Sequence, residues 1–102
     1  MDNRFGLVVR FVLTEGHEQA FDALVRELIP AVREHEPRTL VFAVHTVDGR
    51  PDLRIFYEMY TDRAAFDAHD EQPHIRKFAA ARDEHTAGVE VDFLELIDGT
   101  GV

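Results

Sequence analysis

Residues 56–74 read FYEMYTDRAAFDAHDEQPH. The stretch opens as the end of a strand, in which Phe56, Glu58 and Tyr60 alternate with Tyr57 and Met59. Thr61 or Asp62 then caps a short helix, DRAAFDAHDE, because both residue types offer a side-chain oxygen to the first free backbone N–H groups. Pro73 fits the first turn of a further helix, HIRKFAAARDEH, where its missing N–H costs nothing. A carboxylate, Glu58, therefore shares a strand face with two aromatic residues, and His69 and His74 follow on the two helices.

Working outward, FGLVVRFVLT (5–14) alternates as a strand, with Phe5, Leu7, Val9, Phe11 and Leu13 on one face and Val8, Arg10 and Val12 on the other. HEQAFDALVRELIPAVREHE (17–36) is an amphipathic helix whose stripe is Phe21, Leu24, Val25, Leu28 and Val32. Pro30 should kink it or loosen its last turns. RTLVFAVHTV (38–47) and DLRIFYEMYT (52–61) form a hairpin about the turn signal DGRP. VEVDFLELI (89–97) is the last strand. The order β-α-β-β-α-β, with the second helical part broken in two, predicts an α+β, ferredoxin-like domain over residues 1–102: one antiparallel sheet with helices on one face.

The first and third strands are apolar on both faces, and a solvated face should alternate to polar. Two helical segments cover one face only. The other is expected to be buried against a second copy of the chain, so a homodimer is predicted.

Composition narrows the function classes. The net charge of −9 disfavours nucleic acid, which demands a basic patch. With no Cys, disulfides, thiolate catalysis and zinc–thiolate sites are excluded. The opening MDNRFGLVVRF has neither a long apolar core nor a small-residue cleavage site, which predicts no signal peptide. No apolar run approaches the roughly 20 residues of a membrane helix, so no membrane partner and a cytoplasmic location are expected. There is no Gly-rich phosphate loop, dinucleotide fingerprint or Ser-centred nucleophile motif, so no cofactor is predicted. Six histidines raise the question of a metal. His69 and His74 lack the i, i+4 spacing of many zinc sites, and His17, His35 and His85 read as solvated, so no metal is predicted.

The run Glu58, Tyr60, Asp62, Ala64-Ala65-Phe66, His69 and Pro73-His74 resembles the signature of the antibiotic biosynthesis monooxygenase domain, a dimeric α/β-barrel family. HEPRTLVFAVH (35–45) is similar to the start of that family's second strand, with Arg38 where a Gly usually follows Glu-Pro. The resemblance spans nearly the whole chain. It implies a ferredoxin-like protomer, a homodimer with packed sheets, and a pocket between sheet and helices. Members oxygenate phenolic or quinol-type aromatics without metal or flavin, degrade haem, or isomerise small sugar-derived signals. The positions that haem degraders of the family fill with Asn, Trp and His fall here at Val9, Tyr60 and Ala79, and the chain has no Trp. Haem degradation is disfavoured.

Glu58 in apolar surroundings should have a raised pKa and act as acid or base near neutrality; its structural alternative is an ion pair with Arg10 or Arg54. His69 reads as a helix-terminal histidine favoured by the dipole. His74, near a helix start, is the expected base, with His69 acting through water and Tyr60 steadying negative charge. Phe56, Phe66, Phe78, Phe42 and Val9 are expected as core and pocket wall. The leading expectation is a cofactor-independent monooxygenase that oxidises a quinol or anthrone-like aromatic with O2. The alternatives are a small-carbonyl isomerase on the same fold and a non-catalytic ligand-binding dimer.

Overall fold

The structure is a computed structural model and describes residues 3–102. The elements are β1 (Phe5–Leu13), α1 (Glu18–His35), β2 (Thr39–Val47), β3 (Arg50–Tyr60), α2 (Arg63–Asp70), α3 (Pro73–Arg82), a 3-10 turn (Asp83–His85) and β4 (Thr86–Glu95). They form one four-stranded sheet in the order β2-β3-β1-β4. Every neighbouring pair is antiparallel. This is the ferredoxin-like α+β arrangement that the sequence predicts. Among the described residues, no helix is long and apolar enough to cross a membrane.

Strand register decides which residues meet. Leu7 pairs with Glu58, Val9 with Phe56 and Phe11 with Arg54 across β1 and β3. Phe42 and Val44 of β2 lie beside Glu58 and Phe56. On the other side of β1, Phe93, Val91 and Val89 of β4 lie beside Leu7, Val9 and Phe11. Because side chains alternate across a strand, all of these project to one face. Leu7, Val9, Phe11, Leu13 and Phe56 pack there against Phe21 and Val25 of α1, in the main buried cluster.

α1 follows its apolar stripe, with Phe21, Val25, Leu28 and Val32 buried. The helix continues through Pro30, which is exposed, so the carbonyl that loses its N–H partner can be reached by water. Asp62 caps α2 by accepting a hydrogen bond of 2.8 Å from the Ala65 N–H. Pro73 opens α3, as its fixed φ favours.

The last strand differs from expectation. It begins at Thr86 rather than Val89 and ends at Glu95 rather than Ile97. Thr86 pairs with Leu13 beyond a register shift at Val12 and Leu13, and this lets the strand run through Gly88. A glycine weakens a strand's local signal without forbidding the ladder when the neighbouring strand is in place.

Arg54 is buried on the helical face and pairs with Asp22 of α1. Its Nε and Nη2 donate to the two Asp22 carboxylate oxygens at 2.8 and 3.0 Å. Nη1 donates to the carbonyls of Pro51 and Leu53. This fork ties α1 to the centre of the sheet. Replacing Asp22 by Ala strands a buried guanidinium, with an expected loss of about 2 kcal/mol in urea unfolding, reduced from the fully buried case because Asp22 is partly exposed.

Candidate functional site

The site forms where the end of α1, the end of α2 and the start of α3 converge over β3. Its centre is Glu36, the residue that follows α1, which is buried. Glu36 Oε1 lies 2.5 Å from His69 Nδ1, and Glu36 Oε2 lies 2.5 Å from His74 Nε2. The Thr39 hydroxyl also donates to Oε1, at 2.8 Å. Burial alone would raise the Glu36 pKa, but the hydrogen bonds from His69, His74 and Thr39 outweigh it, and the net shift is downward. An ionised carboxylate accepts hydrogen bonds only, so His69 presents Nδ1–H to it and His74 presents Nε2–H. When His69 is neutral, Nε2 then carries the free lone pair.

That second edge of His69 faces β3. Its Nε2 lies 3.6 Å from Glu58 Oε1. Both residues are buried. The Tyr60 hydroxyl donates to the same Glu58 oxygen at 2.5 Å. Burial raises the Glu58 pKa more than the Tyr60 hydrogen bond and the His69 charge lower it. Tyr60 is also pushed up, first by burial and then by the Glu58 charge, so its phenol keeps its proton and remains a donor. The cluster therefore runs Tyr60, Glu58, His69, Glu36, His74, with carboxylates on both sides of one imidazole.

The alternative ion-pair partners of Glu58 are engaged elsewhere. Arg54 is held by Asp22. Arg10 belongs to the opposite alternation of β1 and is exposed.

A cavity of about 300 Å³ adjoins the cluster, between the inner sheet face and the helices. Glu58 and His69 are in its wall, together with Val9, Phe42, Phe56, Phe66 and Phe78, all of which the sequence suggests. The size is at the lower end for small-molecule sites, enough for a single aromatic ligand. On the β4 side the wall is Val89, Val91 and Phe93, which remain 41%, 44% and 57% exposed. That flank is the open mouth.

His74 does not line this cavity. It borders a separate groove between α1 and α3, with Leu24, Glu27, Lys77 and Phe78. Tyr60 is fully enclosed and lies behind the cavity wall, against Glu58, His69 and Phe66. The residue types expected from the sequence thus meet in one cluster, with His69 in the cavity wall and His74 on the neighbouring groove. Glu36 is not among the site residues expected from the sequence. It lies in the HEP run at the end of α1, within the stretch 35–45 that resembles the family's second-strand entry, and nothing local there marks it as buried.

Of the remaining histidines, His35 is exposed with its ring 5.9 Å from that of His74, and the other three lie outside this cluster. His17 and His85, expected in solvent, are half-buried and face each other, with Nδ1 atoms 2.9 Å apart. They bridge the start of α1 to the 3-10 turn, so helix packing shields them. His45 is exposed and bonds the Ile55 carbonyl. Among the described residues, no group of three or more His, Cys, Asp and Glu is arranged to hold a metal.

Fold and cluster together define a ferredoxin-like domain with a histidine–carboxylate site beside an apolar cavity. The sequence profile of the antibiotic biosynthesis monooxygenase family matches residues 4–81, and the chain belongs to that family. Among solved structures, a candidate antibiotic biosynthesis monooxygenase from Caulobacter crescentus superposes with a TM-score of 0.90 at 18% identity, covering 95% of this chain and 92% of that one. One from Nitrosomonas europaea gives 0.89 at 19% identity, covering 99% and 97%. A protein from Shewanella oneidensis gives 0.84 at 25% identity, covering 92% and 91%. The likeness is one of fold. No curated protein matches the chain.

The two carboxylates should give opposite pH signatures. Glu36, with a lowered pKa, stabilises the fold above the ordinary carboxylate range, and that contribution is lost as pH falls through its folded-state value. Glu58, with a raised pKa, binds its proton more tightly when folded, so stability declines as pH rises from the ordinary carboxylate range through its folded-state value. Thermal unfolding across pH should therefore show Glu36→Gln below wild type near neutrality, with the gap closing in acid. Glu58→Gln should match wild type in acid and unfold at a higher temperature near neutrality.

Proposed function

We propose that this protein is a cofactor-independent monooxygenase acting on a small electron-rich aromatic, of the quinol or anthrone type, with His69 as the base. One observation carries the reading: an imidazole whose Nδ1 is held by an ionised, buried carboxylate lies in the wall of an apolar cavity. A fixed tautomer leaves Nε2 as the proton-accepting atom, and Glu36 holds the ring in place through Nδ1.

Dioxygen is a triplet and reacts slowly with closed-shell organic molecules, so the substrate must be made the reductant. For a benzylic CH2 flanked by aromatic rings, His69 Nε2 takes one C–H proton. The carbanion passes one electron to O2, and the radical and superoxide couple to form a C–O bond. His69 returns its proton to the peroxide. Loss of the second C–H proton with cleavage of the O–O bond leaves a carbonyl and water. Both hydrogens leave on one oxygen atom, and the other oxygen stays on carbon. Tyr60 donates to Glu58 and so keeps it oriented beside the His69 ring. His74, bonded to the far oxygen of Glu36, positions that carboxylate rather than touching substrate.

A second reading rests on Glu58 and His69 as two proton-transfer groups at 3.6 Å beside one cavity. Such a pair suits isomerisation of a small carbonyl compound, one group removing a proton and the other delivering it. Substrate conversion without oxygen uptake separates the two.

We also propose a homodimer through the sheet face opposite the cavity. Val8, Val12, Ile55 and Tyr57 of that face are only half-buried in one copy, and a second sheet would complete their burial. Ile55→Asp should convert a dimer to a monomer in sedimentation velocity, and a wild-type monomer would refute the assembly.

Oxygen uptake with a quinol and anthrone panel in metal-free buffer tests the reaction. His69→Ala should lower kcat by about 100-fold or more with little change in KM, as expected for loss of a general base. His74→Ala should lose less. Full turnover by His69→Ala would end the assignment.

A further inference from the structure

Arg82, at the end of α3, is also in the cavity wall. Among the described residues that line the cavity, it is the one permanent cation. Its guanidinium lies over the Phe11 ring, 5.0 Å from the centroid. One nitrogen, Nη1, donates to the exposed Asp83 at 3.2 Å. A guanidinium has five N–H donors in a planar fork, so one bond to Asp83 leaves most of that fork for other partners.

The position of Arg82 gives the cavity a direction. Glu58 and His69 stand beside Leu7, whose strand partner is Glu58. Arg82 stands over Phe11, four residues further along β1. At the rise of an extended strand, those positions are on the order of 13 Å apart. Val9, Phe56 and Val91 line the wall between them. The cavity thus has a proton-accepting end, an apolar middle and a cationic end. Of its acidic residues, Glu58 pairs with Leu7 rather than Phe11, and Asp70 adjoins His69 in sequence and acts electrostatically on Glu58.

The geometry points to a carboxylate subsite at Arg82: we propose that the ligand of this cavity is a fused-ring aromatic carrying a carboxylate on the end remote from the reacting carbon. The ring body fills the phenylalanine-lined middle, and the carboxylate meets the guanidinium edge left open by Asp83. Stacking on Phe11 holds the fork in place, which lowers the ordering cost of the contact. An anionic ligand approaching a chain of net charge −9 is repelled over most of the surface, so this local cation also sets the direction of entry.

The subsite deepens the proposed oxygenase reading and relies on the same cavity, but its test needs no turnover. Anthraquinone-2-carboxylate and its neutral carboxamide serve as probes of equal shape, with affinities measured by calorimetry for wild type, Arg82→Gln and Arg82→Lys. Wild type should bind the carboxylate about tenfold or more tightly than the carboxamide, the scale of a charge-assisted contact. Arg82→Gln should lose that preference and keep its carboxamide affinity, which also shows that the cavity is intact. Arg82→Lys should keep part of the preference. Equal affinity of wild type for the two probes overturns the subsite, as does a preference that survives in Arg82→Gln. Should Arg82→Gln not fold, the wild-type preference and its weakening in Arg82→Lys decide the matter. An Arg82-dependent preference without oxygen uptake on any substrate would refute the oxygenase reading and leave the subsite standing; uptake without the preference would do the reverse.

Discussion

The Glu36 carboxylate holds the site together. Each of its oxygens meets a different imidazole, and each imidazole comes from a different helix. A buried carboxylate without partners would be costly, and here the two rings and the Thr39 hydroxyl supply the compensation. The same contacts fix where α2 and α3 sit relative to the end of α1. Packing and chemistry are thus set by a common group: to move Glu36 is to turn His69 relative to the cavity.

Around that anchor, the sheet does two jobs. Its inner row supplies the hydrophobic floor, and its central strand carries Glu58 and Tyr60 upward into the helix layer. Desolvation makes Glu58 reluctant to ionise, whereas multiple donors make Glu36 ready to do so. His69 therefore lies between two acids of opposite disposition. That asymmetry orients the ring, with Nδ1 toward Glu36 and Nε2 toward Glu58. It is a consequence of local packing, since the two carboxylates are chemically the same.

Much of the fold was legible in the sequence because its signals are local. The alternation in residues 5–14, the stripe from Phe21 to Val32, the cap at Asp62 and Pro73 each report on their own few neighbours. The cavity wall was also readable, since the same alternation that places Val9 and Phe56 in the core places them beside the cavity. The site was less so. Glu36 follows a helix end in polar company, and nothing in HEP announces burial; that comes from α2 and α3 folding over it. The choice between His69 and His74 depends on which side of Glu36 each helix passes, a tertiary fact. The start of β4 was hidden by Gly88, whose weak strand preference is overruled by β1.

The break between α2 and α3 has a geometric consequence. In one continuous helix, residues five apart lie about 140° from each other around the axis and look away from a common point. The turn at Glu71 and Gln72, closed by Pro73, resets that angle and lets His69 and His74 address the same pair of oxygens. Spacing along the chain and the interruption are therefore a matched pair: straightening the segment would keep every side chain and lose the convergence.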